Sequence, residues 1–207
     1  MITKEDIIKV THEFFTKYGI RSVSLDDIAR HLAVSKKTLY QYFKDKDEMV
    51  TESVKLHLHE EEKEFCRVTE NSCDAIEQMV NMSVLMRQSI KDLNPTLMYD
   101  MQKFHKNAWE IWQSFKRDFI GNSIIQNIQW GMEEKFFRGD IDVETLAIMR
   151  MQQVEMSFDQ DIFPKEKFDF REVQMELFDH FIHGIITEKG RGLFDKYKSK
   201  HKIKSGI

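Results

Sequence analysis

The chain has 207 residues, 41% of them hydrophobic and 32% charged, with a net charge of −4. A chain of this size and balance buries a sizeable core, so wholesale disorder is excluded, and no apolar run approaches the roughly 20 residues that cross a bilayer. The opening stretch MITKEDIIKV carries charges where a signal peptide has its apolar segment, so a cytoplasmic protein without a membrane partner is expected. Cys66 and Cys73 make neither a CxxC pair nor a disulfide framework, in keeping with a reducing compartment. With 2 Pro and 8 Gly there is little material for a glycine-rich phosphate loop, and an all-α protein is the expectation.

The helix starts are legible in order along the chain. Thr3-Lys4-Glu5-Asp6 is a capping signal, followed by Ile7, Val10, Phe14 and Tyr18 along one face, and Gly19 supplies the stop. Ser24-Leu25-Asp26-Asp27 repeats the signal and opens a short second helix with Leu25, Ile28, Ala29 and Leu32 inward. Ser35 caps a third, whose Leu39 and Phe43 stack four residues apart on the buried side. Asp45-Lys46-Asp47-Glu48 then begins a long fourth helix reaching to about residue 66.

Charge is unevenly spread over this framework. Residues 1–50 carry a net +1, residues 51–188 a net −11 and residues 189–207 a net +6. Arg30, Lys36, Lys37 and Lys44 fall in an acid-free window, 28–44. Three short helices, with a tight turn between the second and third, make a helix-turn-helix arrangement, in which the later helix enters the major groove. Ser35, Lys36, Lys37, Thr38, Gln41 and Tyr42 form the outward side of that helix. The lysines can neutralise phosphates, the hydroxyls can bond phosphate oxygens, and Gln41 can read a base edge. On periodicity alone, a plain three-helix bundle with a polar surface fits as well.

Ser24-Leu25-Asp26-Asp27-Ile28-Ala29, followed by Val34-Ser35-Lys36-Lys37-Thr38-Leu39-Tyr40-Gln41-Tyr42-Phe43-Lys44-Asp45-Lys46, resembles the DNA-binding domain of the TetR family of bacterial transcriptional regulators. Phe14 to Gly19 matches the end of that family's first helix. The resemblance covers nearly all of residues 4–50. It implies an N-terminal helix-turn-helix domain, 1–46, fused to a helical effector-binding and dimerisation domain, 47–207. It also implies DNA contacts from Ser35, Lys36, Lys37, Thr38, Tyr40, Gln41 and Tyr42 on the recognition helix, with Lys46 on phosphate. Ala33 departs from the glycine usual in that turn, where a positive φ costs an L-residue about 1 kcal/mol.

The rest of the chain also reads as helical, over about 72–91, 95–102, 105–137 with a bend near Gly121, 143–159 and 169–189. Asn94-Pro95 is a start signal. By the resemblance, the last two long helices pair with those of a second protomer. Leu146, Met149, Gln153 and Met156, with Val173, Leu177, Phe181 and Ile185, are the expected seam. Nine of the 12 methionines and all three tryptophans lie between residues 79 and 156, a composition that suits either core filling or a pocket for an apolar or amphipathic molecule. For such a pocket the candidate lining is Met82, Met86, Tyr99, Trp109, Trp112, Gln126, Trp130, Met149 and Gln153.

No triad, metal cluster or cofactor motif is evident, so neither an enzyme nor a cofactor is expected. His57 and His59 point to different helix faces, and His180 with His183 lacks a third ligand. The basic stretch from Lys196 to Lys204 reads as a frayed end. The expected function is a homodimeric repressor that binds a pseudopalindromic operator in double-stranded DNA and is released by a small effector of unknown identity. The alternative is a helical module that carries a small molecule or lipid without binding DNA.

Overall fold

The computed structural model describes residues 2–89, 93–94, 96–164 and 166–200. Among these residues the chain is α-helical and has no strand, only an isolated bridge between Phe137 and Ile186. The helices are α1 (Lys4–Tyr18), α2 (Leu25–His31), α3 (Lys36–Tyr42), α4 (Lys46–Asn71), α5 (Ala75–Ser89), α6 (Leu97–Phe104), α7 (Lys106–Phe115), α8 (Asn122–Glu133), α9 (Val143–Met156), α10 (Phe170–Ile185) and α11 (Glu188–Lys200). They form two compact units, one of Met1–Lys63 with Asp92–Phe115 and one of Glu64–Lys91 with Lys116–Ile207. The first unit brings α6, α7 and most of α4 together with the three short helices.

In the first unit, Ile7, Phe15, Ile20, Ile28, Leu39, Phe43, Met49, Met101 and Ala108 form one core. Its helices start where the capping signals place them. Thr3 Oγ1 accepts the Asp6 N–H while Asp6 accepts the Thr3 N–H, and Ser24 and Asp27 make the same reciprocal box. Gly19 closes α1 at φ +82°, a backbone region that glycine enters without Cβ strain. Three hydrogen bonds tie the later helices to the early ones. The Asn94 N–H donates to the Thr16 carbonyl at 2.7 Å, the Arg21 N–H to Asp100 Oδ2 at 3.2 Å, and His105 Nδ1 lies 2.7 Å from Asp47 Oδ1. Asn94 also accepts the Thr96 N–H at 3.0 Å, while Pro95 lies outside the described residues.

The second unit is centred on Ile76, Val80, Ile128, Phe137, Phe178, Phe181, Ile182, Ile185 and Phe194. Gly131 is required there by close approach, since a Cβ would sit 2.1 Å from the Phe137 ring. The expected helix over 105–137 is three elements: α7, a π-helical segment Lys116–Gly121, and α8. A wide turn fits the packing, because a Cβ on Gly121 would already stand 3.1 Å from Met151 Sδ, and Lys116 reaches Glu155 at 2.7 Å.

Two expectations are corrected. Of the stretch expected to fray, Lys196 to Lys204, the described part up to Lys200 is helical and belongs to α11. Phe194 and Tyr197, three residues apart, are buried, and the Tyr197 hydroxyl donates to Asp74 at 2.6 Å. The alternating lysines around them hide this stripe in the sequence. Residues 201–207 lie outside the described residues. The expected dimer seam also changes, because Phe181 and Ile185 are buried in the chain's own second core and Val173 is buried as well.

Candidate nucleic-acid interface

The turn between α2 and α3 is tight. Val34 N–H donates to the Ala29 carbonyl at 3.0 Å, and Ala33 takes φ +52°. The strain expected of alanine at that position is therefore present. Ser35 starts α3 by accepting the Thr38 N–H at 3.0 Å, and its hydroxyl also bonds Thr38 Oγ1 at 2.9 Å. Leu39 and Phe43 are 1% and 2% exposed and pin the helix to the core. With that stripe inward, Ser35, Lys36, Lys37, Tyr40 and Gln41 are exposed, and Thr38 and Tyr42 are half-buried.

The outward side chains differ in what holds them. Lys36 Nζ is 3.0 Å from Asp26 Oδ2, an exposed ion pair that salt screens readily. Lys37 makes no ion pair among the described residues. The Tyr42 hydroxyl donates to the Ile2 carbonyl at 2.9 Å, which clasps the start of the chain against α3. Lys46 is bound more tightly still. Its ammonium donates to the carbonyls of Ile20 at 2.5 Å and Val23 at 2.6 Å and stands 5.6 Å from the Phe15 ring centroid. Burial pulls its pKa down from the ordinary lysine value, with Asp100 and Asp27 opposing. Two of its three N–H donors thus hold the loop between α1 and α2.

The nine residues considered for an effector pocket divide between the units. Tyr99, Trp109 and Trp112 belong to the first, where both tryptophans pack on the core and Tyr99 is 53% exposed. Met82, Met86, Gln126, Trp130, Met149 and Gln153 belong to the second. There, Trp130 packs on the core, Met82 and Met86 are half-buried, and Gln126 and Met149 are exposed. Gln153 Oε1 is buried with no hydrogen-bond partner, as is Trp112 Nε1. Sequence reasoning missed Arg150, which is buried on α9 with an unpartnered Nη1. Nothing in the sequence marks it, since an arginine in a helix ordinarily faces water.

Residues 7–52 match the family model for bacterial regulatory proteins of the tetR family. The HTH-type transcriptional regulator YvaF of Bacillus subtilis is 24% identical over 169 residues, which is 81% of this chain and 88% of that protein. The ketosteroid transcriptional regulator KstR2 of Mycobacterium tuberculosis superposes with a TM-score of 0.63 at 16% identity, over 91% of this chain and 98% of that one. A transcriptional regulator of Saccharomonospora viridis in complex with choline does so with a TM-score of 0.73 at 17% identity, over 88% and 96%. At such identities the two structures speak for a shared fold.

Proposed function

Because the chain belongs to the TetR family of bacterial DNA-binding transcriptional regulators, we propose that it is a cytoplasmic homodimeric repressor that a small molecule releases from a pseudopalindromic operator. The observation that carries the DNA contact is the exposed polar side of α3, presented by two buried anchors, Leu39 and Phe43. Gln41 reads a base edge, Lys36 and Lys37 neutralise phosphates, Ser35, Thr38 and Tyr40 bond phosphate oxygens or sugars, and Tyr42 joins them by turning its hydroxyl from the Ile2 carbonyl to the DNA. Lys46 offers phosphate its remaining N–H while keeping the loop before α2 in place. In this reading residues 1–46 are the DNA-binding head and residues 47–207 the regulatory body.

A single helix-turn-helix reads a short half-site, and two half-sites about 34 Å apart need a twofold partner. Exposed Ile148 and Met149 on α9 supply apolar surface for that partner. The effector acts by binding one conformational state better than the other, since equal affinity shifts nothing. Choline held by the Saccharomonospora viridis protein supports a small-molecule role for this fold.

The test is selection of bound fragments from genomic DNA by the full chain, followed by sedimentation of the complex. A recovered inverted repeat bound by two chains is the expected result, and Gln41→Ala should relax preference at one base position per half-site. Recovery of no fragment above random, from a protein that binds small molecules, would favour a carrier module instead.

A further inference from the structure

The second unit buries a cation without a counter-ion. Arg150 is 8% exposed, with its Cζ 5.5 Å from the ring centroid of Phe178 and 5.8 Å from that of Phe181, both on α10. Nη1 has no hydrogen-bond partner, and no ion pair among the described residues involves the guanidinium. Burial pulls its pKa down to about 10, and no neighbouring carboxylate acts to raise it. Around it lie unmet acceptors. Gln174 Nε2 donates to the Val154 carbonyl at 2.9 Å and to Ser157 Oγ, leaving its own Oε1 buried and unpartnered. Gln153, one turn along α9 from Arg150, keeps an unpartnered Oε1 as well. Positions 150 and 153 share one side of α9, Ser157 caps its C-terminal end, and 174, 178 and 181 share one side of α10.

A guanidinium taken out of water is costly unless it is paired and hydrogen-bonded, and aromatic faces return part of that cost. Buried polar groups without partners are rare in native proteins, so three of them between one pair of helices call for a missing partner. That partner has to be small. Arg150 is 8% exposed within its own chain, which leaves little surface for a bulky group to reach. It also has to offer an anion to the arginine and a hydrogen-bond donor to one of the two amide oxygens.

We propose that Arg150 anchors the carboxylate of a small amphipathic hydroxy acid between α9 and α10, with the ligand's hydroxyl donating to Gln153 or Gln174 and its apolar part against Phe178 and Phe181. The proposal rests on the effector reading above and names the ligand class for it. The guanidinium binds a carboxylate through two parallel N–H bonds, a match that neither an alcohol nor an ester reproduces.

The experiment titrates the full-length protein with 3-hydroxy fatty acids of six to fourteen carbons, following heat on binding. Their methyl esters serve as neutral controls, and operator affinity is measured in parallel. The acid should bind at least tenfold more tightly than its ester, and Arg150→Met should remove that preference while melting at or above the wild-type temperature. The ester comparison uses wild-type protein, so it holds even if the variant fails to fold. Equal binding of acid and ester, no acid binding at any chain length, or an unchanged preference in a folded Arg150→Met protein would each overturn the site. Acid binding through Arg150 with no change in operator affinity would leave the site standing and refute the effector reading.

Discussion

In the first unit each of the four leading helices begins on a side chain that accepts its otherwise orphaned N–H groups: Thr3, Ser24, Ser35 and Asp45. In the second unit Arg150, Gln153, Gln174 and Asn127 keep buried polar atoms without partners. The first unit is not free of such atoms, since Thr11 Oγ1 and Trp112 Nε1 also lack partners, but these are neutral groups. In the proposed reading, the capped helices of the first unit hold a fixed face toward the DNA. In the same reading, the unpaired cation of the second unit leaves hydrogen-bonding capacity for the proposed ligand.

That contrast is broken or sharpened by substitution. The largest effect is expected at the anchor of α3. Leu39→Ala should cost about 3 kcal/mol of stability, read by chemical denaturation, and should abolish operator binding because the helix loses its purchase on the core. An unchanged denaturation midpoint would mean that α3 is not pinned as described.

Acid comes next. His12 stacks on His57 with ring centroids 4.7 Å apart, and burial, followed by the His57 charge, holds its pKa down at about 4 despite Glu60 and Glu13. The unfolded chain binds a proton at ordinary histidine pH that the folded head refuses. His12 therefore contributes stability above about pH 6.5 that is lost as pH falls toward 4, up to about 3 kcal/mol in all. His12→Gln should flatten the pH dependence of the melting temperature in that window, and an unaltered profile would remove His12 from the account.

Within the second core, Gly131→Ala should cost about 2 kcal/mol, because the Phe137 ring must move to admit a methyl group. A neutral result would show that the Phe137 region yields readily. The smallest of these effects is Ser24→Ala, expected to lower stability by about 1 kcal/mol through loss of the α2 cap. A loss much greater than this would mean that Ser24 holds more than one helix end.

How much of this was legible in the sequence follows the same division. The head was legible down to single atoms: both capping boxes, the stop at Gly19 and the positive φ at Ala33 are local features that a few neighbouring residues determine. The inward placement of Leu39 and Phe43 followed from four-residue spacing. What stayed hidden depends on residues far apart in the chain. Tyr197 meets Asp74 across 123 positions, and Lys46 turns toward Ile20 and Val23 rather than wholly outward. No local pattern announces either contact. Arg150 was hidden for a related reason, since its surroundings come from a different helix 20 to 30 residues on. The split of the helix at Lys116–Gly121 depends on α9 packing beside it, and Gly121 alone marked the place.

The central claim is that the polar side of α3 lies against duplex DNA, and salt dependence tests it most directly. Operator affinity of the full chain would be measured across a range of salt concentrations for the wild type and for Lys37→Ala, whose lysine is exposed and forms no ion pair within the described chain. The expected result is a log–log slope shallower by about one unit per lost phosphate contact, with weaker binding on every duplex alike. A Lys37→Ala protein with wild-type affinity and an identical slope would contradict it.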